Sequence, residues 1–327
     1  MPPVAATPVA TTLAPGVSLL DLRFQGVSGA VAAYLIAHGD ARVLVETGPG
    51  STLPALRDAA AAAGHALADV THVVVTHIHL DHAGAAGAVL REAPRARLYV
   101  HPAGAAHLVD PSKLIASASR IYGDRMDALW GAFLPVPADR LSTLADGEAI
   151  PLGGGRALTA WHTPGHASHH VALHDGATGD VYTGDVAGVR LSGAPHLRAP
   201  TPPPDVDLAA WDASLRRLRA LAPARLLLTH FGAAPDPEWH LDELHARLHA
   251  FAGWVEGRLD APDADPASLG PAVADRGAAA LARALPGADP AALAALTEAY
   301  ELANPSYMQA AGMARYLKKR ESEKRES

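Results

Sequence analysis

One segment limits the fold more than any other part of this chain. Three consecutive valines in the run Val70 to Thr76 lead directly into His77-Ile78-His79-Leu80-Asp81-His82. An apolar run of this length, rich in β-branched residues and ending in a polar cluster, predicts a buried strand. Strand alternation would project His77 and His79 to one side, and a turn beyond Leu80 would bring Asp81 and His82 to a neighbouring point. The strand end therefore has to face a site that needs four metal-capable side chains, because a solvent loop has no use for so many imidazoles. The chain has no cysteine, which excludes disulfides, thiolate metal sites and cysteine nucleophiles and leaves its 18 histidines and its carboxylates as donors.

Three later segments repeat the form, an apolar run followed by a small turn and a metal-capable residue. They are Thr163-Pro164-Gly165-His166, Thr183-Gly184-Asp185 and Leu228-Thr229-His230-Phe231-Gly232. Five imidazoles and two carboxylates form a nitrogen and oxygen donor set suited to Zn, Fe, Mn or Co.

With 327 residues, 49% of them hydrophobic, the chain can bury a large core, so disorder as a whole is ruled out. Its formal charge of −7 argues against a nucleic-acid partner. Met1 to Gly16 lacks the basic start and apolar run of a secretory signal, and no stretch suits a membrane span, so a soluble cytoplasmic protein is expected. Residues 1–16 read as a flexible N-terminus and residues 17–232 as the main domain. Short strands are expected at Val17 to Phe24, Val31 to Ala37, Arg42 to Glu46, Leu98 to Val100, Ala157 to Trp161, Val171 to His174, Val181 to Thr183 and Arg225 to Thr229. Helices are expected at Thr52 to Ala63 and Leu208 to Leu221. His38-Gly39-Asp40 reads as a hairpin. Between about residues 102 and 137 the period becomes helical, which marks an insertion. Residues 233–318 read as a helical extension of four helices, at Glu238 to Arg258, Gly277 to Leu285, Pro290 to Leu302 and Ser306 to Lys318. Residues 319–327 read as a charged, frayed tail.

The order HxHxDH, TPGH, GD and a late His resembles the metallo-β-lactamase-fold hydrolase superfamily, over about Val17 to Gly232. The resemblance implies an α/β fold, an αββα sandwich with the metal site at one edge between its sheets. It further implies two divalent transition metals, most simply Zn, with Fe or Mn as alternatives. His77, His79 and His166 would hold one and Asp81, His82 and His230 the other, with Asp185 bridging. Two close metals share a hydroxide at neutral pH, so the implied reaction is hydrolysis of a small ester, thioester or related acyl substrate, with Asp81 as the catalytic carboxylate, in the manner of glyoxalase II. Two alternatives stay open: a mononuclear iron oxidoreductase similar to persulfide dioxygenases, and a phosphodiesterase. The family's usual Asp-Thr-Gly is here Glu46-Thr47-Gly48, a supporting acid on a longer arm.

His170 is a further candidate support, ahead of His169. His245 and His249 have helical i, i+4 spacing but read as flanking the buried stripe of their helix. Gly153-Gly154-Gly155 reads as a turn. His107, Lys113, Arg120, Tyr122, Arg125 and Trp130 put polar and aromatic groups on the insertion, and of these His107, Arg120 and Tyr122 are the candidates for a small-molecule substrate site.

Overall fold

The computed structural model describes residues 9–259 and 266–326. The first sheet has seven strands in sequential order: β1 (Ala10–Ala14), β2 (Val17–Asp21), β3 (Ala32–His38), β4 (Ala41–Val45), β5 (His72–Val74), β6 (Arg97–Val100) and β7 (Leu141–Thr143). The first four pair antiparallel and β4 to β7 pair parallel. Parallel neighbours need crossovers. They are supplied by α1 (Leu53–Ala62), by α2 (Leu80–Ala83) with α3 (Ala86–Glu92), and by the insertion α4 (Pro102–Val109), α5 (Ser112–Tyr122) and α6 (Met126–Trp130).

The second sheet contains β8 (Ala149–Gly153), β9 (Arg156–His162), β10 (Val171–Asp175), β11 (Asp180–Gly184), β12 (Arg225–Leu228) and β13 (Gly232–Ala234), with α7 (Leu208–Ala220) crossing between the parallel strands β11 and β12. Four C-terminal helices follow: α8 (Pro237–Leu259), α9 (Pro266–Ala284), α10 (Pro290–Ala303) and α11 (Ser306–Glu326).

Period-2 patterning explains the layers. On β3, Ala32, Tyr34 and Ile36 face the second sheet, where Leu158, Leu173 and Tyr182 meet them, while Ala33 and Leu35 join the helix-side core with Leu56 and Val89. Beyond the second sheet, Trp211 and Leu215 of α7 share a core with Leu241 and Leu244 of α8, Leu269 of α9 and Met313 of α11. The result is an αββα sandwich whose C-terminal helices are packed into its outer layer. The sheets are also tied by backbone at one edge, where Val171 N donates to Thr76 O and Ala32 N to Thr229 O, each at 2.8 Å.

Several expectations need correction. Residues 10–14, read as part of a flexible terminus, form β1 against β2; residues 1–8 lie outside the described residues. The charged run after Lys318 is not frayed but continues α11 to Glu326, where Arg320 pairs with Glu256 of α8. The helix expected from Gly277 begins at Pro266 and runs through Pro271. The valine strand is shorter than expected: β5 ends at Val74, so His77 and His79 lie in a bend and do not owe their common direction to strand alternation.

Within α11, Leu317 is buried against the α8–α9 core, whereas the ion pairs beyond it are exposed. In denaturant titrations Leu317→Ala should cost about 2–5 kcal/mol, and removing residues 319–327 less than about 1 kcal/mol. Equal losses for the two changes would contradict this division of the helix.

Candidate metal centre

The ends of β5, β11 and β12 and the turn after β9 converge at the edge where the sheets are tied. The bend after β5 delivers His77 and His79, and α2 delivers Asp81 and His82. The turn Thr163 to Gly165 delivers His166, the end of β11 delivers Asp185, and the end of β12 delivers His230. All seven residues meet there. His77, His82, His166 and His230 are at most 1% exposed.

The donor atoms form two sets. His77 Nε2 lies 2.9 Å from His79 Nδ1 and 3.2 Å from His166 Nε2, and the last two atoms are 3.0 Å apart. Ligands about 2.0–2.1 Å from a tetrahedral ion lie roughly 3.3 Å from one another, which this triangle approaches. In the second set His230 Nε2 is 3.4 Å from Asp81 Oδ2, while His82 Nε2 and His230 Nε2 lie 3.3 and 3.5 Å from Asp185 Oδ1. The other oxygen, Asp185 Oδ2, faces His166 Nε2 at 3.3 Å. One carboxylate thus turns a separate oxygen to each set.

The remaining ring nitrogens are already committed, which fixes the tautomers. His166 Nδ1–H donates to Pro200 O at 2.7 Å and His230 Nδ1–H to Ala30 O at 2.9 Å. His77 Nδ1–H donates to Thr76 Oγ1 at 3.0 Å, and that hydroxyl donates onward to Glu46 Oε1. His82 Nδ1–H reaches the same oxygen at 3.2 Å. The lone pairs of His77, His82, His166 and His230 therefore all point inward. His82 Nε2, His230 Nε2 and Asp185 Oδ1 are buried without a hydrogen bond among the described residues. Buried polar atoms in that condition are costly, and a cation placed between them removes the cost. By this test the residues fit divalent metal ions.

Electrostatics point the same way. Burial, joined by neighbouring imidazoles, holds His77 well below the usual histidine range and His79 at about 3, so both are neutral at pH 7 and able to donate lone pairs. Burial disfavours charge on His82 and His230 too, but the carboxylates of Asp185 and Asp81 outweigh it and raise both. Burial likewise opposes charge on Asp81, and His82 and His230 reverse it, bringing its carboxyl down to about 2. Positive charge is demanded where the second donor set lies.

The longer arm of Glu46 is accommodated through Oε1, while Oε2 is buried without a hydrogen bond among the described residues. Fully buried and in the left-handed region with φ 65°, it reaches His82 and Thr76 together and so braces both donor sets. His170 is also a support: its Nε2 accepts from Asp185 N–H at 3.1 Å, while Nδ1–H donates to Thr163 Oγ1 at 2.8 Å. Gly184 is required between them, since a Cβ there would lie 2.4 Å from Thr76 Oγ1 and 2.7 Å from His170 Nε2. His245 and His249 stay on the outer surface beside Asp212, on a different face.

The centre opens into a cavity of about 880 Å³. Its walls come from the insertion, the proline-rich loop and the α10–α11 connection. His107 and Tyr122 line it as expected, but Arg120 does not: it lies off the stripe that Leu114, Ala118 and Ile121 turn toward the cavity. Arg125 of the insertion also lines it, as do Asn304, Tyr307 and Met308, which were not singled out from sequence. The helical periodicity of the insertion carries a signal for that face; nothing local marks residues 304–308.

Over residues 27–230 the chain matches the family model of the metallo-beta-lactamase superfamily, and it belongs to that superfamily, whose members are mostly metal-dependent hydrolases. It is 29% identical over 197 residues to a metallo-beta-lactamase fold-containing protein of Sulfurisphaera tokodaii, a match spanning 58% of this chain and 73% of that one. It is also 29% identical over 188 residues to the hydroxyacylglutathione hydrolase of Aeromonas hydrophila, spanning 58% of this chain and 56% of that enzyme. A metallo-beta-lactamase family protein of Thermus thermophilus shares the fold through the C-terminal helices, with a TM-score of 0.61, 22% identity and 95% of each chain covered. Among the described residues, no helix is long and apolar enough to cross a membrane.

Glu46→Gln keeps the side chain's size and removes the charge that accepts from His82 and Thr76. Metal affinity, measured by competition with a chelator, should fall about 10–100-fold. Unchanged retention would show that Glu46 supports the fold and not the centre.

Proposed function

We propose that this chain is a dinuclear metal-dependent hydrolase of an ester, thioester or related acyl compound. The observation that carries the reading is the division of Asp185 between two complete donor sets at the floor of a cavity. His77 Nε2, His79 Nδ1, His166 Nε2 and Asp185 Oδ2 would hold one ion; Asp81 Oδ2, His82 Nε2, His230 Nε2 and Asp185 Oδ1 would hold the other. With nitrogen and oxygen donors, Zn is the simplest occupant, and Fe or Mn would also be accepted. Two such ions supply hydroxide at neutral pH and polarise a substrate carbonyl.

The chain's own residues contribute position and proton control. Asp81 keeps partial access to the cavity and holds the proton of the attacking water at its carboxylate, so that the lone pair faces the acyl carbon. Glu46, Thr76 and the carbonyls of Ala30 and Pro200 hold the rings in orientation, which spares reorganisation during the reaction. No serine or cysteine nucleophile is needed. A mononuclear oxidoreductase would leave the second donor set without a use, which weighs against that alternative. Hydroxyacylglutathione hydrolase, the similar enzyme from Aeromonas hydrophila, supports the acyl class and not a particular substrate.

Protein saturated with Zn should bind about two ions per chain, and His77→Ala and His230→Ala should each lose a different one. A ceiling of one ion in the intact protein would overturn the dinuclear reading in favour of a mononuclear centre.

Asp81→Asn should lower turnover of an acyl substrate by at least about 100-fold, the scale for removing a positioned acid–base group. Unchanged hydrolysis in this variant would overturn the role given to Asp81, and oxygen uptake with no acyl hydrolysis in the intact protein would rule out the hydrolase.

A further inference from the structure

The cavity above the centre is larger than a small ester requires. At about 880 Å³ it lies toward the top of the range, roughly 300–1,000 Å³, that encloses drug-sized ligands. Most of its wall is apolar. Ile78 and Leu80 line it near the metal ligands, Leu114 and Leu129 come from the insertion, and Leu302 and Met308 from the C-terminal helices. Ile121, 44% exposed, and Tyr307, 46% exposed, also line it, so apolar surface continues to the solvent side. Isolated exposed apolar residues need no explanation, but exposed ones continuous with an apolar cavity mark a route for an apolar ligand.

The polar residues of the wall differ in whether they already have partners. Glu301 is paired with Arg198, and Asp205 accepts from Ser168. Asp81 and Asp185 belong to the metal centre. Arg125 has no hydrogen bond or ion pair among the described residues, and it lies within electrostatic reach of the Tyr122 and Tyr307 hydroxyls, whose ionisation it favours. Tyr122 in turn lies within electrostatic reach of Asp81. Among the described residues, Lys113 is a second cation on the wall without an ion pair, and Glu298 is an acid there with neither a hydrogen bond nor an ion pair. An exposed guanidinium on the wall of an apolar cavity, sharing that wall with two phenols and with no described protein anion to satisfy it, is equipped to receive carboxylate or phosphate oxygens in bidentate fashion.

We propose that the substrate is an anionic amphiphile: an acyl compound whose apolar body lies against Leu114, Leu129, Leu302 and Met308, and whose carboxylate or phosphate is held by Arg125. The inference deepens the proposed hydrolase reading and rests on it for the reaction. It makes the insertion and the C-terminal helices joint determinants of specificity, since the insertion supplies the anion site and both supply the apolar wall.

The test is calorimetric titration of the Zn-loaded protein with decyl phosphate, decanoate and decanol, all below their aggregation concentrations. The two anions should bind at 1:1 and more tightly than decanol. Arg125→Ala should weaken both anions about tenfold and leave decanol unchanged, and Arg125→Lys should recover part of the loss. Decyl phosphate and decanoate affected alike would show a general anion site; loss for one alone would assign the headgroup. Equal affinities for the anions and decanol, or an Arg125→Ala variant that leaves their ratio unchanged, would overturn the anion site. Leu302→Glu should weaken all three ligands, and retained affinity in that variant would overturn the apolar seat. Turnover of a short uncharged ester by the same preparation separates the two readings. If that ester is hydrolysed while no amphiphile binds, the substrate inference falls and the hydrolase stands. If amphiphiles bind through Arg125 and no acyl compound is hydrolysed, the reaction falls and the binding site remains.

Discussion

The structure depends on one electrostatic constraint: at least four buried imidazole lone pairs and two carboxylates converge, and among the described residues no Lys or Arg forms an ion pair with Asp81 or Asp185. Left as protein alone, the arrangement leaves His82 Nε2, His230 Nε2 and Asp185 Oδ1 buried without a hydrogen bond among the described residues. Such atoms destabilise a fold unless a cation gathers them. Much of the surrounding architecture serves to hold that convergence in place. The sheets are joined by backbone hydrogen bonds at this edge, from Val171 to Thr76 and from Ala32 to Thr229. These bonds fix the distance between ligands carried by β5, β11 and β12.

The same constraint accounts for the support around the centre. Each imidazole that turns one nitrogen inward must satisfy the other, and the chain does so with a carbonyl for His166 and His230 and with the Thr76–Glu46 pair for His77 and His82. Glu46 shows how a lengthened acid is absorbed. Its backbone takes a left-handed conformation and its carboxylate reaches two ligands belonging to different donor sets. Trp211 contributes from the far side of the second sheet, packing edge-on to His166 while its indole N–H donates to Val186 O. The outer helical layer is thereby in contact with the metal ligands and not merely a cover for the sheet.

Around this fixed floor, the cavity is assembled from the parts of the chain that lie outside the minimal sandwich. The insertion and the α10–α11 connection face one another above Asp81, and neither alone encloses the space.

The convergence of His77, His79, Asp81, His82, His166, Asp185 and His230 was legible because each occupies a short local pattern, an apolar run followed by a tight turn, and the chemistry of His and Asp in such numbers has few other uses. The αββα layering was legible from period-2 and helical periodicity together with the resemblance those motifs carry. Edge strands were not: β8 contains Pro151 and alternates exposed with buried residues, as an edge tolerates, so it reads as a loop. β1 is nearly featureless in sequence because it is only half buried. The common direction of His77 and His79 was expected for the wrong reason, since a bend and not alternation produces it. Only the tertiary structure could show that Arg125 lines the cavity and Arg120 does not, although both are exposed, or that residues 304–308 share that cavity with His79 and Asp81. Sequence by itself determines what each residue can donate and which local periodicity it follows; which distant surfaces face each other is decided by packing, because burial energy depends on area removed from water and is blind to separation along the chain.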